Sequence, residues 1–459
     1  MLHVPLIDKA LGMTVYAACT EGIGGVIRKS LDDFLVEEVL VDGSVARIEK
    51  ASHSQALGAS TKLQRYLLCV LVKRRWDTFV AIKNIAEQLG IDETRIHIAG
   101  IKDAKAITAQ HITIENVSIE EAEKINIKDI EVHPVGYFRD ELSQFYLLGN
   151  NFTITVRAVR HSDSMIEKRL AETMLELESV GGIPNFFGHQ RFGTSRALTH
   201  LVGRAMVNGD FKEAAMLFLA NPSPHEHPDS RRVREELQSN QDFARALESF
   251  PKQLRFERLM LRHLADEPND FVGAFKQLPF KLQMLFVQSY QSYLFNRFLS
   301  ARLATGLFLN VAEVGDYVIS VERSRLPMNK TGKLAEAGSL AEINESIKNG
   351  RLRVALPLVG FGQRLSEGKM GQAEKRILEE ECVKRESFRV QEIPRISGKG
   401  ELRPVVSPIR AFKLEGISQD EECVDERRVR LSFMLLRGSY ATMLLREIMK
   451  PIDLIAAGF

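Results

Sequence analysis

A mixed strand and helix pattern stops near residue 210 of this chain and returns near residue 405. In the first stretch, Tyr66–Val72 (YLLCVLV) is a continuous apolar run of strand length, suited to burial on both faces. Thr78 can cap a following helix that has Phe79, Ile82, Ile85 and Leu89 on one face, and Gly90 is placed to end it. From Phe152 to Ala158 the period becomes two, with Phe152, Ile154, Val156 and Ala158 opposed to Thr153, Thr155 and Arg157. Ile166, Leu170, Met174 and Leu177 then trace an amphipathic helix, which Gly181 and Gly182 break. Strands and helices alternate irregularly, so an α+β domain is expected and not a strict βαβ repeat.

The middle of the chain reads differently. Asn221–Arg234, with three prolines and mixed charge, reads as a loop or linker. Most of residues 235–305 read as helix, and residues 363–390, charged and poor in strand formers, read as a solvated helix. Pro394, Gly398, Gly400 and Pro404 punctuate its end. Val429, Leu431 and Phe433 then alternate as a strand, and Gly438 leads into the helical run YATMLLREIMK. One domain inserted into another accounts for this return: residues 1–210 with 406–459 form the first, and 211–405 the insert.

The 459 residues carry 62 Lys+Arg against 60 Asp+Glu, a net charge of +2. That excludes a protein that holds RNA by bulk electrostatics, but permits a basic cleft with acidic residues elsewhere. No apolar run reaches the ~18 residues of a membrane span. The N-terminal MLHVPLIDKALG lacks the layout of a secretory signal. Cys19, Cys69, Cys382 and Cys423 contain no CxxC pair and fit reduced thiols of a cytoplasmic protein, with no zinc site.

Several motifs have ordinary readings. Gly22-Ile-Gly-Gly25 lacks the third glycine of a dinucleotide loop, and Gly362–Lys369 has five residues between its glycines where a phosphate loop needs four. His225-Glu226-His227 lies in a Pro-rich stretch and reads as solvated loop. Lys73-Arg74-Arg75, Arg231-Arg232 and Arg427-Arg428 read as solvated faces. The aromatic and aliphatic residues of Gln288–Arg302 read as helical core.

Three segments carry more. In Ile96–Ile114 (IHIAGIKDAKAITAQHITI), Asp103 sits at a junction between strands. A carboxylate held there can act as nucleophile or general base, or can simply cap a turn. In Ile183–Arg196 (IPNFFGHQRFGTSR), three phenylalanines are interleaved with Asn185, Gln190 and Arg191. Part of that is core; aromatic faces beside amides also suit single-stranded RNA, and both readings stand. In Arg437–Glu447 (RGSYATMLLRE), Gly438-Ser439 makes a turn, and Tyr440 enters the last helix as core or as cleft lining.

Together these segments resemble the TruD family of tRNA pseudouridine synthases. The ordered set is Arg28–Glu38 (RKSLDDFLVEE), Trp76–Ile91, Ala99–Thr108 (AGIKDAKAIT), Leu148–Arg157, Asn185–Gly193 (NFFGHQRFG), the Gln291–Arg302 helix and Arg437–Glu447. The resemblance implies a pseudouridine synthase catalytic domain with a mixed, mainly antiparallel sheet, interrupted by a largely helical α+β insertion domain. It implies that Asp103, after Lys102 in the GxKD stretch, is the catalytic aspartate, with Lys102 and Arg28 in support. Arg28, six residues before Phe34, is implied to form an ion pair with Asp103. Phe34, Asn185, Phe187 and Tyr440 match positions around the bound uridine. Many relatives have Phe where this chain has Tyr440, and proline where it has Leu436.

The implied activity is conversion of uridine to pseudouridine, at uridine 13 of tRNA, by a cytoplasmic monomer. Such an isomerisation has no net redox change, so no metal or other cofactor is expected. Two other classes compete: a non-catalytic tRNA-binding or folding protein on the same scaffold, and a metal- or nucleotide-dependent RNA-modifying enzyme. Lys and Arg are expected to gather around Asp103, leaving the far surfaces acidic.

Overall fold

In the computed structural model, residues 3–49, 56–193, 195–322, 324–421 and 425–459 are described. Cys423 and Thr194, singled out in the sequence, lie outside the described residues. The N-terminal part supplies β1 (Phe34–Leu40), β2 (Tyr66–Arg74), β3 (Ile96–Ile98), β4 (Ile107–Glu115), β5 (Ile130–Phe138) and β6 (Leu147–Val159), then the short β7 (Ile183–Pro184). The middle supplies β8 (Tyr317–Val321), β9 (Pro327–Leu334), β10 (Leu352–Leu358) and β11 (Glu401–Pro404). The C-terminal part adds β12 (Val406–Ser407), β13 (Ile409–Gln419) and β14 (Arg427–Leu436). The fold is α+β, as expected.

Strands from both ends of the chain build one sheet, in the order β13-β14-β6-β1-β4-β2-β5, with β3 added beside β4. The β1–β4 pair is parallel and the other pairs of this sheet are antiparallel, so it is mixed and mainly antiparallel. The middle of the chain builds a separate four-stranded sheet, β11-β10-β8-β9, packed with helices between Thr199 and Ala304. One contact there is set by a missing side chain: a Cβ on Gly203 would lie 2.0 Å from the Phe286 carbonyl oxygen. Glycine therefore lets the Thr199–Val207 helix lie directly on the Phe280–Ala304 helix.

Register decides what faces what in the large sheet. Phe34 pairs with Ile154, and Ile154 with Leu431; Val36 pairs with Phe152, and Phe152 with Phe433. These apolar residues share one face, against which the helices Asp163–Ser179 and Ala441–Met449 bury Leu170, Leu177, Leu444 and Ile448. The same face continues across the parallel seam, where Val36 neighbours Thr108 and Thr108 neighbours Lys73. Beyond Lys73, Leu67, Cys69 and Leu71 pack with Ala81, Ile82 and Ile85 of the Thr78–Leu89 helix. Two apolar blocks thus flank a polar strip of Glu38, Thr108, Gln110 and Lys73, all buried.

Several local expectations shift. The Thr78–Leu89 helix is capped by Asp77, whose side chain accepts from the Phe79 and Val80 N–H groups; a carboxylate one residue earlier is the better cap. Thr78 instead turns its hydroxyl inward to the Asp103 loop, and Phe79, placed with the apolar face, is 50% exposed. Ala158 does not continue the alternation, because its φ of 56° makes a bulge inside β6, where the register against β14 shifts. The stretch 221–234 is only partly loop: Pro228–Asn240 is helical, with Pro228 in the first turn and the His227 side chain accepting from the Asp229 N–H. Glu226 is not solvated but forms an ion pair with the buried Arg234. The Gly368–Glu380 helix, read as solvated, buries Met370, Glu374, Ile377 and Leu378.

Candidate active site

Asp103 lies in the loop that leaves the sheet after β3 and re-enters at β4. Three buried side chains hold the backbone of this loop. The Thr78 hydroxyl accepts from the Lys102 N–H and donates to the Lys102 carbonyl, each at 3.2 Å. The Gln110 amide donates to the Gly100 carbonyl at 3.0 Å. Lys73, drawn inward by strand alternation, donates to the carbonyls of Trp76 (2.7 Å) and Asp103 (2.9 Å). Burial pushes its ammonium down to about 8. Lys73 was read as part of a solvated basic run; it is fully buried, because β2 is covered on both faces.

Lys102 faces away from the Asp103 carboxylate. Its ammonium meets Glu38 Oε2 at 2.6 Å, with both side chains buried. The other Glu38 oxygen accepts from the His111 N–H at 2.9 Å and lies 3.3 Å from His111 Nδ1. Burial alone would raise the Glu38 carboxyl, but Lys102 and His111 hold it below its ordinary value. Lys102 is thus an anchor of the loop, an ion pair apart from the exposed carboxylate beside it.

The Asp103 side chain is 32% exposed. Its Oδ1 accepts from the Lys105 N–H at 3.0 Å, which is the turn-capping contact. Its Oδ2 meets Arg28 Nη2 at 2.6 Å. Arg28 also donates from Nη1 to the Gly458 carbonyl at 3.0 Å and lies 4.3 Å above the Phe34 ring. Its backbone sits at φ 60°, the left-handed region, which costs a non-glycine residue roughly 1 kcal/mol or more. Three contacts therefore fix a guanidinium that its own backbone does not favour. Phe34 is buried, edge-on to Phe152 at 6.3 Å, and Phe152 stacks on Phe433 at 5.4 Å.

Asn185, Phe187 and Tyr440 form a second contact group. The loop after β7 is clamped by Asn296, whose amide accepts from the Phe187 N–H (2.8 Å) and donates to the Phe187 carbonyl (3.1 Å). Farther along, His189 meets the buried Asp8, which also accepts from Arg446 of the last helix. Phe187 contacts Tyr440 at 6.4 Å between ring centres, and Tyr440 begins the last helix. A Cβ on Gly188 would lie 3.0 Å from Tyr440 Cδ1, so glycine there keeps the loop and ring close. Phe34 and Phe187 belong to one continuous apolar core, and Tyr440 packs against it.

Arg403 ties this second group together, and nothing in the sequence singled it out. Its Nε donates to the Asn185 carbonyl (3.1 Å), and Nη2 donates to Asn185 Oδ1 and the Gly438 carbonyl (both 2.8 Å). Its guanidinium lies 3.9 Å from the Phe187 ring centre. Asn296 was likewise overlooked, hidden in a helix correctly read as core. Spacing offers no signal for either: Arg403 is 218 residues from Asn185, and Asn296 is 109 from Phe187.

The residues quoted from the sequence therefore form two groups, Arg28–Asp103–Phe34 and Asn185–Phe187–Tyr440. The first is an exposed carboxylate beside a fixed cation; the second is an aromatic wall with a polar edge. The cations Arg28, Lys73 and Lys102 all bear on the Asp103 loop. An acid group that can gain or lose a proton, or attack as an anion, next to apolar faces suits chemistry on a planar base. Among the described residues, no helix is long and apolar enough to cross a membrane.

Comparison with known proteins bears on the whole length. The family described as tRNA pseudouridine synthase D (TruD) matches residues 10–448. The chain is 38% identical over 449 residues to the "Probable tRNA pseudouridine synthase D" of Methanosarcina barkeri, covering 98% of each chain. It is 36% identical to the protein of the same name from Thermococcus sibiricus, over 95% of this chain and 97% of that one. It superposes with a TM-score of 0.83 on the crystal structure of the Methanosarcina mazei protein assigned as tRNA pseudouridine synthase D (TruD), at 36% identity, covering 98% and 99% of the two chains. On these matches and this fold, the chain belongs to the TruD family of tRNA pseudouridine synthases.

Proposed function

We propose that this protein isomerises uridine to pseudouridine in tRNA, at uridine 13, with Asp103 as the catalytic carboxylate and no cofactor. The observation that carries the reading is the 2.6 Å pair between Arg28 and the partly exposed Asp103. Family membership supplies the substrate class.

In the reaction the uracil N1–C1′ bond breaks, the base turns, and C5 bonds to C1′. The proton on C5 leaves and one joins N1, so the equation balances without an oxidant or co-substrate. Asp103 serves either as nucleophile at C1′ or as base at C2′. Only the second route breaks the C2′–H bond, so deuterium at C2′ slows only that route. Arg28 holds the carboxylate in place, and Lys102 acts as a positioning residue through Glu38. Phe34, Asn185, Phe187 and Tyr440 surround the uridine and keep the detached base from water. The base leaves its stack before reacting. Residues 1–210 and 406–459 form the catalytic domain and 211–405 the insert; the shared sheet of the two ends supports this division.

The test is to incubate the protein with unmodified tRNA transcripts in excess chelator, without nucleotide, and map pseudouridine by carbodiimide-blocked primer extension. A stop one nucleotide 3′ of position 13, which reports pseudouridine at 13, is expected. Binding without any pseudouridine would favour the non-catalytic alternative, and a requirement for metal or nucleotide would overturn the cofactor-free mechanism.

A further inference from the structure

Phe187 has a second role, as wall of a cavity of about 390 Å³ that Arg191, Gln288, Ser397, Lys399 and Arg403 also line. We propose that this cavity is a phosphate subsite, holding one backbone phosphate of the RNA strand that carries the target uridine between Arg191 and Arg403. The proposal rests on the isomerase reading, which brings RNA to Phe187.

The reason is an excess of positive charge, three cations against the single carboxylate of Glu401. Arg403 is buried, and its bonds go only to two carbonyls and the Asn185 amide oxygen. Arg191 donates from Nε to the Ser292 hydroxyl (3.2 Å) and from Nη2 to the Gln288 amide oxygen (3.1 Å). Neither guanidinium is ion-paired with a carboxylate among the described residues, and the Nη1 group of each has no partner among them. Both lie on the Phe187 ring, at 3.9 and 5.8 Å from its centre. The Ser397 hydroxyl is buried and unpartnered. Glu401 is the carboxylate in the lining, against three cations.

Burying like charges together is unfavourable unless an anion joins them. Burial lowers Arg403 to about 10, with Arg191 adding to the shift and Tyr440 and Glu401 opposing it only in part. A phosphodiester suits this cavity: it is small, fully charged, and accepts from guanidinium N–H groups in pairs. A nucleobase would offer only partial charges. Phe187 then becomes a shared wall, with the reacting base in the Asp103 site and a neighbouring phosphate in the second cavity.

The experiment is tRNA affinity across a salt series for wild type, Arg191→Met and Arg191→Lys. Each phosphate contact contributes about 0.7–0.9 to the slope of log affinity against log salt. Arg191→Met is expected to lower that slope by about 1 and to weaken binding about tenfold, whereas Arg191→Lys keeps the slope. A series of RNAs with single methylphosphonate linkages near the target gives the second readout. One linkage should weaken the wild type and leave Arg191→Met unaffected. Arg403→Lys, which keeps the charge at a site where larger changes disturb Asn185, should retain the wild-type slope. An unchanged slope in Arg191→Met, with every linkage affecting both proteins equally, would overturn the subsite. If the wild type still makes pseudouridine in that case, the subsite falls and the isomerase reading stands. If the slope changes but no pseudouridine forms, the reverse holds.

Discussion

Arg28 and Asp103 are 75 residues apart in the chain and 2.6 Å apart in the fold. The pair joins the segment before β1 to the loop before β4, two strands that lie parallel and adjacent. Parallel neighbours start at the same end of the sheet, so the segments leading into them meet there. The contact is a consequence of that one parallel pairing in an otherwise antiparallel sheet.

Asp103→Asn keeps the shape of the side chain and removes its charge. It should lower pseudouridine formation by at least ~1000-fold, with melting temperature and tRNA affinity close to wild type. Pseudouridine at the wild-type rate in that variant would remove Asp103 from the mechanism.

Arg28 does more than supply charge, since it also bonds the Gly458 carbonyl and covers Phe34. Arg28→Lys retains the cation but loses the planar fork and the stacked face. Its kcat should fall roughly tenfold and that of Arg28→Ala about a hundredfold, with KM little changed. Equal activity in the Lys variant and wild type would show that charge alone matters.

Lys73 predicts a pH effect. Burial lowers its ammonium from 10.5 to about 8, so between those values the unfolded chain binds the extra proton. Folding stability from this group therefore rises with pH across that window, and the cost of burial is fully present below it. Activity should move the other way, because a neutral amine has fewer N–H groups to hold the loop carbonyls. The pH profile of kcat should fall near pH 8, and Lys73→Met should be less active throughout and lack that limb. A limb unchanged in the variant would rule Lys73 out as its source.

Glu374 is buried in the Gly368–Glu380 helix and accepts from the N–H and hydroxyl of Ser366, both at 2.8 Å. Burial raises its carboxyl to about 8. A raised value means that its contribution is complete below the unfolded value near 4.5 and is lost as pH rises through 8. Glu374→Gln, which resembles the neutral form, should stabilise the protein at pH 8 by on the order of 4 kcal/mol and make little difference at pH 4. Thermal melts at the two pH values measure this; an equal effect at both would refute it.

Much of the local structure was legible in the residues themselves. The runs at Tyr66–Val72 and Val429–Phe433 are strands, and the Ile166–Leu177 face is buried on a helix, because burial imposes periods of 2.0 and 3.6 on any chain. Gly90 and Gly438 end or start elements at positive φ, where glycine is favoured. The strands read near residue 430 join the N-terminal strands in one sheet, whereas the four strands between Tyr317 and Pro404 left no pattern that was read. The ordered motifs identified the family.

What periodicity cannot carry is who meets whom across the fold. Lys73 looked solvated beside Arg74 and Arg75, and only the covering of β2 on both faces turned it inward. Asp77 displaced Thr78 as cap because Thr78 was drawn to the Asp103 loop. Lys102 was adjacent to Asp103 in sequence, yet the alignment of β1 with the seam gave its charge to Glu38. Arg403 reached Asn185 across 218 residues, because β12, which follows β11 directly, pairs with β7. The sequence by itself determined the elements, the α+β class and the family, since these follow from local preference and the order of motifs. The tertiary structure alone decided which charges are paired, which are left open, and what lines each cavity, because sheet register and long-range packing set those distances.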